Sequence, residues 1–259
     1  MKRIYLNKYS IAAVLFLAAA AALIAIALNI YFSEFIVAAF VISAMALAMT
    51  GIFILTFSGG EPVDPRLVGL LPAQGCINLC RIASDLDIKG SVYFLPGRVT
   101  GETRVMQFNP VSTYQGGVVT AETSFPKTGP AGLVTIPSGN PLIQELRKRN
   151  ALVIPDNEEH LAQLIREATG EIFEFAPRVS ASWNKGRVTI IFHHYRFIEG
   201  CEFMAQESKG CCTRNPCPAC SLCGVLITEG LDKVVSLDEC SISASKQDVT
   251  MVYSIVPSP

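Results

Sequence analysis

Residues 11–32 read IAAVLFLAAAAALIAIALNIYF and residues 35–57 read FIVAAFVISAMALAMTGIFILTF, with only Ser33 and Glu34 between them. Neither run contains Asp, Glu, Lys, Arg or His. At a rise of ~1.5 Å per residue, each is long enough to cross the hydrocarbon of a bilayer as a helix. Helix is the conformation expected there, because each backbone N–H and C=O must find its partner inside the segment. A cleaved signal peptide would have a shorter apolar core followed by polar sequence, and a core hairpin of this length would carry a polar stripe. The chain therefore begins as a transmembrane hairpin, and the rest is read as what that hairpin holds at the membrane.

Lys2, Arg3 and Lys8 precede the first run, whereas the turn carries only Glu34. That asymmetry predicts a multi-pass protein of the cell membrane with both the N- and C-termini cytoplasmic. Small residues (the Ala18 to Ala22 run, Ala38, Ala39, Ser43, Ala46, Gly51) would let the two helices approach closely. With no ionisable group at membrane depth, the hairpin reads as an anchor rather than an ion path.

Half of the 259 residues are hydrophobic and 17% are charged, below the ~25% usual for soluble domains, largely because of the hairpin. The formal net charge of -1 gives no electrostatic footprint for nucleic acid, so the expected partner is the lipid bilayer. We divide the chain into an anchor at residues 1–58, a linker at 59–66 with Ser58-Gly59-Gly60-Glu61-Pro62 at its start, and a domain at 67–259.

Within that domain, residues 75–86 place Cys76, Leu79, Cys80, Ala83 and Leu86 on one helical face. A strand is predicted at 91–95 and β-prone pieces at 104–108, 117–123 and 133–136. Asn140-Pro141 reads as an N-cap followed by the first helical residue, with Leu142, Ile143 and Leu146 inward. Asp156 with Glu159 resembles a capping box, opening a helix that buries Leu161, Leu164, Ile165 and Ala168 and stops at Gly170. Two hairpins follow. One joins 171–183 to 187–197 through Asn184-Lys185-Gly186, and the other joins 234–242 to 249–256 through Ser245-Lys246-Gln247. A short helix at 219–231 lies between them. Strands in antiparallel pairs with helices set between them make an α+β domain with a largely antiparallel sheet.

Nine cysteines are the chemically pointed feature, and they concentrate in the segment 211–223. On the cytoplasmic side, structural disulfides are disfavoured, so the thiols are free, reactive or metal ligands. Cys212, Cys217 and Cys220 follow the C-x4-C-x2-C spacing of one iron–sulfur pattern. Two-residue gaps also suit tetrahedral zinc. The candidate ligands are Cys212, Cys217, Cys220 and Cys223, with Cys211 or Cys240 as alternatives for the fourth. Cys201 lies upstream of this cluster.

A redox reading competes, because Cys217-Pro218-Ala219-Cys220 opens a helix whose free N–H groups stabilise a thiolate. Plain packing is the third alternative, since Cys220, Cys223 and Ile227 share one helical face and Cys buries readily. His193 and His194, adjacent in a strand, point to opposite faces and are not expected to reach one ion together, and His160 sits in an amphipathic helix. Phosphate-binding Gly loops, nucleophile elbows and His-Glu-x-x-His helices are missing from the sequence.

With VYFLPG at 92–97, TIPSGNPL at 135–142 and CPACSLCGVL at 217–226, the chain resembles an uncharacterised family of archaeal, mainly methanogen, membrane proteins with a domain of unknown function. That resemblance brings no activity. Residues 217–256 are also similar to small-molecule-binding domains of the vinyl-reductase type, which place a cysteine-bearing helix before a strand ending in Glu-Cys, here Glu239-Cys240. The sequence departs from them at Lys246-Gln247-Asp248, where those domains tend to show Gly and a further Cys. The expected function is a membrane-anchored binding or sensory module, possible structural metal at the cysteine cluster included. The alternative is a membrane-tethered thiol redox enzyme using Cys217 and Cys220.

Overall fold

The structure of the protein, a computed structural model, describes residues 8–29, 33–57, 64–88, 90–126, 129–150 and 153–256. The flank at Lys2 and Arg3, the linker start at Ser58 to Pro62 and Pro259 lie outside the described residues. The chain divides into two compact units, Met1–Val63 and Asp64–Pro259.

The first unit is an antiparallel helical pair, α1 (Lys8–Asn29) and α2 (Glu34–Phe57). The Ser33 carbonyl accepts from the Ile36 and Val37 N–H groups, which starts α2 immediately after the turn. The buried residues are Ala13, Ala20 and Ala27 on α1 with Ala44 and Gly51 on α2, each seven residues from the next. A seven-residue spacing of small side chains forms the seam of a closely packed helix pair. This differs from the expected contact set, because Ala38, Ala39, Ser43 and Ala46 face outward. A Cβ on Gly51 would stand 3.0 Å from Leu17 Cγ, so the glycine is there for close approach. Leu15, Leu28, Phe35, Ile42, Met45 and Ile52 are exposed on the outside of the pair, an arrangement stable only against an apolar solvent. Both helices are long and apolar enough to cross a membrane.

A third stretch, Pro65–Asp85, also reaches that length and apolarity. It belongs to the second unit and is broken into α3 (Pro65–Leu70) and α4 (Ala73–Asp85). Ala73, Cys76, Ile77, Cys80 and Ala83 are buried, while Gln74, Asn78, Arg81 and Asp85 face outward. Its apolar stripe is already occupied by the domain core, so physical pairing assigns it to the domain.

The second unit carries a seven-stranded antiparallel sheet in the order β3-β2-β1-β6-β7-β5-β4. The strands are β1 (Tyr93–Leu95), β2 (Met106–Pro110), β3 (Gly132–Thr135), β4 (Arg178–Asn184), β5 (Arg187–His193), β6 (Val235–Ser243) and β7 (Asp248–Ile255). The β4–β5 hairpin turns on Lys185 (φ 49°) and Gly186 (φ 78°), the two positive φ values of a tight hairpin turn. Val188, Ile190 and Phe192 of β5, Val249, Met251 and Tyr253 of β7, and Val235 and Leu237 of β6 are buried. Their alternation with half-exposed residues turns one face of the sheet into the main core.

The remaining helices are α5 (Gly97–Thr100), α6 (Asn140–Asn150), α7 (Glu158–Arg166), α8 (Ile198–Glu207), α9 (Cys211–Arg214) and α10 (Pro218–Leu231). Helix α10 is buried from Ala219 to Thr228 and packs against α6, α7, β1 and β6. A smaller core of Leu95, Met106, Phe108, Tyr114, Val119 and Val134 lies at the β1–β3 end.

The α+β expectation matches the structure and both C-terminal hairpins are present, with local differences, the strands of the first hairpin starting at Arg178 instead of 171 and ending at His193 instead of 197. Residues 117–123 form no strand, because Gly116 and Gly117 take φ of 99° and 106° and Val119 bonds the Val99 carbonyl instead of a ladder partner. Helix α6 begins one residue earlier, the Gly139 carbonyl accepting from Ile143. Helix α7 is capped by Asn157, whose side chain accepts from the His160 N–H, so the Asp156–Glu159 box is not used. Gly170 does not end that helix, which continues as a π-helical turn from Glu167 to Ile172. Leu86 is exposed, and Ile77 takes its place on the buried face of α4. Helix α3, with Asp64 accepting from the Arg66 N–H and Pro65 first, starts inside the stretch read as linker. Helices α8 and α9 were not anticipated.

Candidate functional site

Helix α10 sets the geometry of the cysteine segment. Cys217 is its N-cap residue, with extended φ/ψ of −61° and 164°, and its carbonyl accepts from the Ser221 N–H at 2.8 Å. Pro218 occupies the first helical position, where a missing N–H costs nothing. Cys220 sits one turn in, and the Cys217 and Cys220 sulfurs are 3.6 Å apart. The helix is locked in place from behind: the Tyr253 hydroxyl donates to the Cys220 carbonyl at 2.7 Å, and Gly224 lets α10 lie against the Phe94 ring.

The nine thiols are all free, eight of them buried and Cys240 half-buried. They fall into two groups. Cys76, Cys80 and Cys211 meet between α4 and α9, where the Cys80 and Cys211 thiols donate to the Cys211 and Cys76 carbonyls respectively. The second group gathers Cys201 of α8, Cys212 of α9, Cys217 and Cys220 of α10 and Cys240 of β6. Hydrogen bonds from the thiols of Cys201 and Cys220 hold Cys217 well below the ordinary thiol range, helped by the Cys220 and Ala219 backbone N–H groups and opposed by burial. Cys240 is lowered to about 5 by Cys212 and then Cys220. Cys220 and Cys201 are raised in turn by donating to Cys217.

Of the residues marked in the sequence, Cys217 and Cys220 come together. Cys212 faces Cys240. Cys223 is fully buried, and burial first and the charge of Cys217 second raise its thiol. Among the described residues, no group of three or more His, Cys, Asp or Glu side chains is arranged to hold a metal ion. The histidines are spent elsewhere: His193 bridges Ser180 and Asp248, and the His194 N–H donates to the same carboxylate from a residue with φ of 53°.

Beside Cys217 lies a cavity of about 170 Å³ with an almost wholly apolar lining. Phe175, Tyr195 and Phe197 form an aromatic wall, Tyr195 and Phe197 meeting edge-on with centroids 5.7 Å apart. Val68 and Gly69 of α3, Met204 of α8 and Cys201, Cys217 and Ala219 complete it. Tyr195 lines the cavity together with Cys217, and burial raises its phenol well above the usual range. Cys220 does not line the cavity.

Sequence reasoning missed Cys201 and the aromatic wall. The i, i+3, i+6 run of Ile198, Cys201 and Met204 was the available signal for α8, and Gly200 within it disguised the helix.

Residues 2–254 match a family model described as a domain of unknown function (DUF7982). The match extends over nearly the whole chain and says nothing of source or of vinyl-reductase-type domains. Neither a curated protein nor a solved structure matched the chain.

Proposed function

We propose that this chain, which belongs to the DUF7982 family, is a membrane-anchored module whose globular domain takes up a small apolar molecule. The cavity beside α10 carries this reading. Its volume of about 170 Å³ is comparable to the ~150 Å³ apolar cavity that accepts benzene in another protein, so the ligand class is a single ring or a short-chain equivalent. Aromatic walls favour such a ligand, and a lining without Lys, Arg or His disfavours an anionic one. Ligands of this kind concentrate in bilayers, and the apolar hairpin would keep the domain where they are abundant. The positive flank in the sequence supports a reading with both termini on the cytoplasmic side. A reporter fused after Pro259 should be active in the cytoplasm, and activity on the outer face would reverse that orientation.

Binding is tested by the unfolding temperature of the full chain in bilayer discs titrated with toluene. Saturation at a hundred times Kd corresponds to ~2.7 kcal/mol of stabilisation. The parent should shift upward and Val68→Trp, which fills the mouth, should not. Equal shifts in both, or none in the parent, would remove the cavity from the function.

A further inference from the structure

We infer that Cys217 and Cys220 form a redox-active dithiol that exchanges with small apolar disulfides entering by the cavity, Cys217 attacking and Cys220 resolving. For access, the inference rests on the cavity reading of the preceding subsection. Four observations carry it. The two sulfurs stand 3.6 Å apart, so closing them to a ~2.05 Å bond needs a movement of ~1.5 Å. Cys217 ends the extended segment before α10, and its φ/ψ can adjust without unwinding the helix. Of the pair, Cys217 alone lines the cavity. Cys217 stands at the N-terminus of α10 with the Cys220 sulfur 3.6 Å away, a position whose dipole and neighbouring thiol suit the anionic nucleophile.

The exchange balances as follows. The Cys217 thiolate attacks one sulfur of R–S–S–R, forming a Cys217–S–R bond and breaking the S–S bond. The first R–S⁻ leaves and takes the proton that Cys217 gave up. Cys220 then loses its proton and attacks the Cys217 sulfur, forming the Cys217–Cys220 bond. The second R–S⁻ leaves with that proton. One disulfide is reduced to two thiols and the protein dithiol is oxidised by two electrons. A small dithiol running the same steps backwards restores it.

The substrate class follows from the walls. The lining holds no Lys, Arg or His, so a carboxylate finds no counter-charge there. Apolar disulfides with a few carbons on each sulfur fit, and charged ones such as cystine do not.

The test uses the reduced full chain in bilayer discs, with diethyl disulfide or cystine as oxidant. Mass spectrometry of the peptide bearing both cysteines, and the ethanethiol released, are the readouts. With diethyl disulfide the parent should form the Cys217–Cys220 bond and release two ethanethiols, at least tenfold faster than cystine reacts. Cys220→Ser should stop at an ethylthio adduct on Cys217 with one ethanethiol, and this trap keeps the test valid if Cys217→Ser does not fold. Val68→Trp, which leaves both sulfurs intact, should slow diethyl disulfide at least tenfold. A first adduct on any other cysteine, equal rates with cystine, or bound zinc or iron masking both thiols in the purified chain would overturn the dithiol. Toluene binding without exchange at Cys217 would sink the dithiol and leave the binding module standing. Exchange at Cys217 without toluene binding would keep the dithiol, sink the binding module and overturn the cavity as the route of entry.

Discussion

Helices α2 and α10 are both almost free of charge and both rich in small residues, yet they are built for opposite surroundings. Helix α2 runs 24 residues and turns Phe35, Ile42, Met45 and Ile52 outward. Helix α10 runs 14 residues, about 21 Å, too short to cross a bilayer, and buries Ala219 to Thr228 under protein on every side. Polar groups tell the two apart more sharply than apolar ones. In the hairpin, Asn29, Thr50 and Thr56 donate to the carbonyls of Ala25, Ala46 and Ile52, each four residues back in its own helix. In the domain, Tyr253 reaches Cys220, Asn109 reaches the Arg214 carbonyl and Ser138 reaches the Pro216 carbonyl, all across elements. A segment bound for lipid satisfies itself, whereas a segment bound for a core relies on its neighbours.

The stretch Pro65–Asp85 offers the strongest way to break that comparison, because composition places it with α2 and packing places it with α10. Ile77 is 2% exposed and Ile82 is 53% exposed on the same helix. Ile77→Asp should cost more than ~4 kcal/mol through an unpaired buried charge, while Ile82→Asp should stay within ~0.5 kcal/mol. Chemical denaturation of the purified chain measures both. A large loss of membrane insertion from Ile82→Asp would show that lipid, not protein, covers that helix.

Glycine substitutions come next in size. A Cβ on Gly224 would overlap the fully buried Phe94 ring, so Gly224→Ala should destabilise the domain by about 3 kcal/mol. Gly51→Ala meets Leu17 Cγ at 3.0 Å and the Ala13 carbonyl oxygen at 3.2 Å and should cost about 1 kcal/mol of hairpin association. Thermal unfolding of the domain reads the first, and helix-pair dissociation in detergent reads the second. Comparable effects would mean that the seam of the hairpin is as rigid as the protein core.

How much of this was legible follows the same division. The hairpin could be read directly, since lipid imposes one requirement on every residue of a run. Strands β4 to β7 were legible because their alternation survives in the sequence, and so was α10 from its start at Cys217-Pro218. Helices α3 and α8 were not. Their crossing is so close that a Cβ on Gly200 would strike the Gly69 backbone, so each carries a glycine that weakens its local helical signal for a tertiary reason. The cysteines were grouped by linear spacing as Cys212, Cys217, Cys220 and Cys223. Space regroups them, bringing in Cys201 from a distant element, favouring Cys240 of the alternatives for the fourth place and setting Cys223 aside.

Two smaller effects sharpen the contrast in polar partners. Tyr253→Phe removes the bond to the Cys220 carbonyl and should cost about 1 kcal/mol, whereas Thr50→Val in the hairpin should be close to neutral. Equilibrium unfolding of paired variants checks this, and equal costs would erase the distinction. Asp248 gives the smallest signal. Burial raises its carboxyl, but the His194 N–H and the His193 ring outweigh burial and lower it below 3.8. A lowered carboxyl stabilises the fold above its unfolded value and loses that contribution as pH falls through the folded one. The difference in unfolding temperature between the parent and Asp248→Asn should therefore shrink as pH falls below about 4. A difference undiminished at about pH 2 would reverse the assignment.

The pairing of β1 with β6, Phe94 opposite Val235, has a consequence for how the molecule comes into being. One half of the sheet is translated early, and the strand that completes it is translated almost last. Until α10 and then β6 leave the ribosome, Phe94 has no helix to lie against and β1 keeps one open edge. The hairpin, complete within the first 57 residues, can enter the bilayer long before that. Closing so distant a pair is slow, and the waiting half-sheet is open to wrong partners. Birth at a membrane therefore tethers the nascent domain during its most vulnerable interval, and a chaperone that shields β1 to β3 would speed its maturation more than one acting on the C-terminal hairpins.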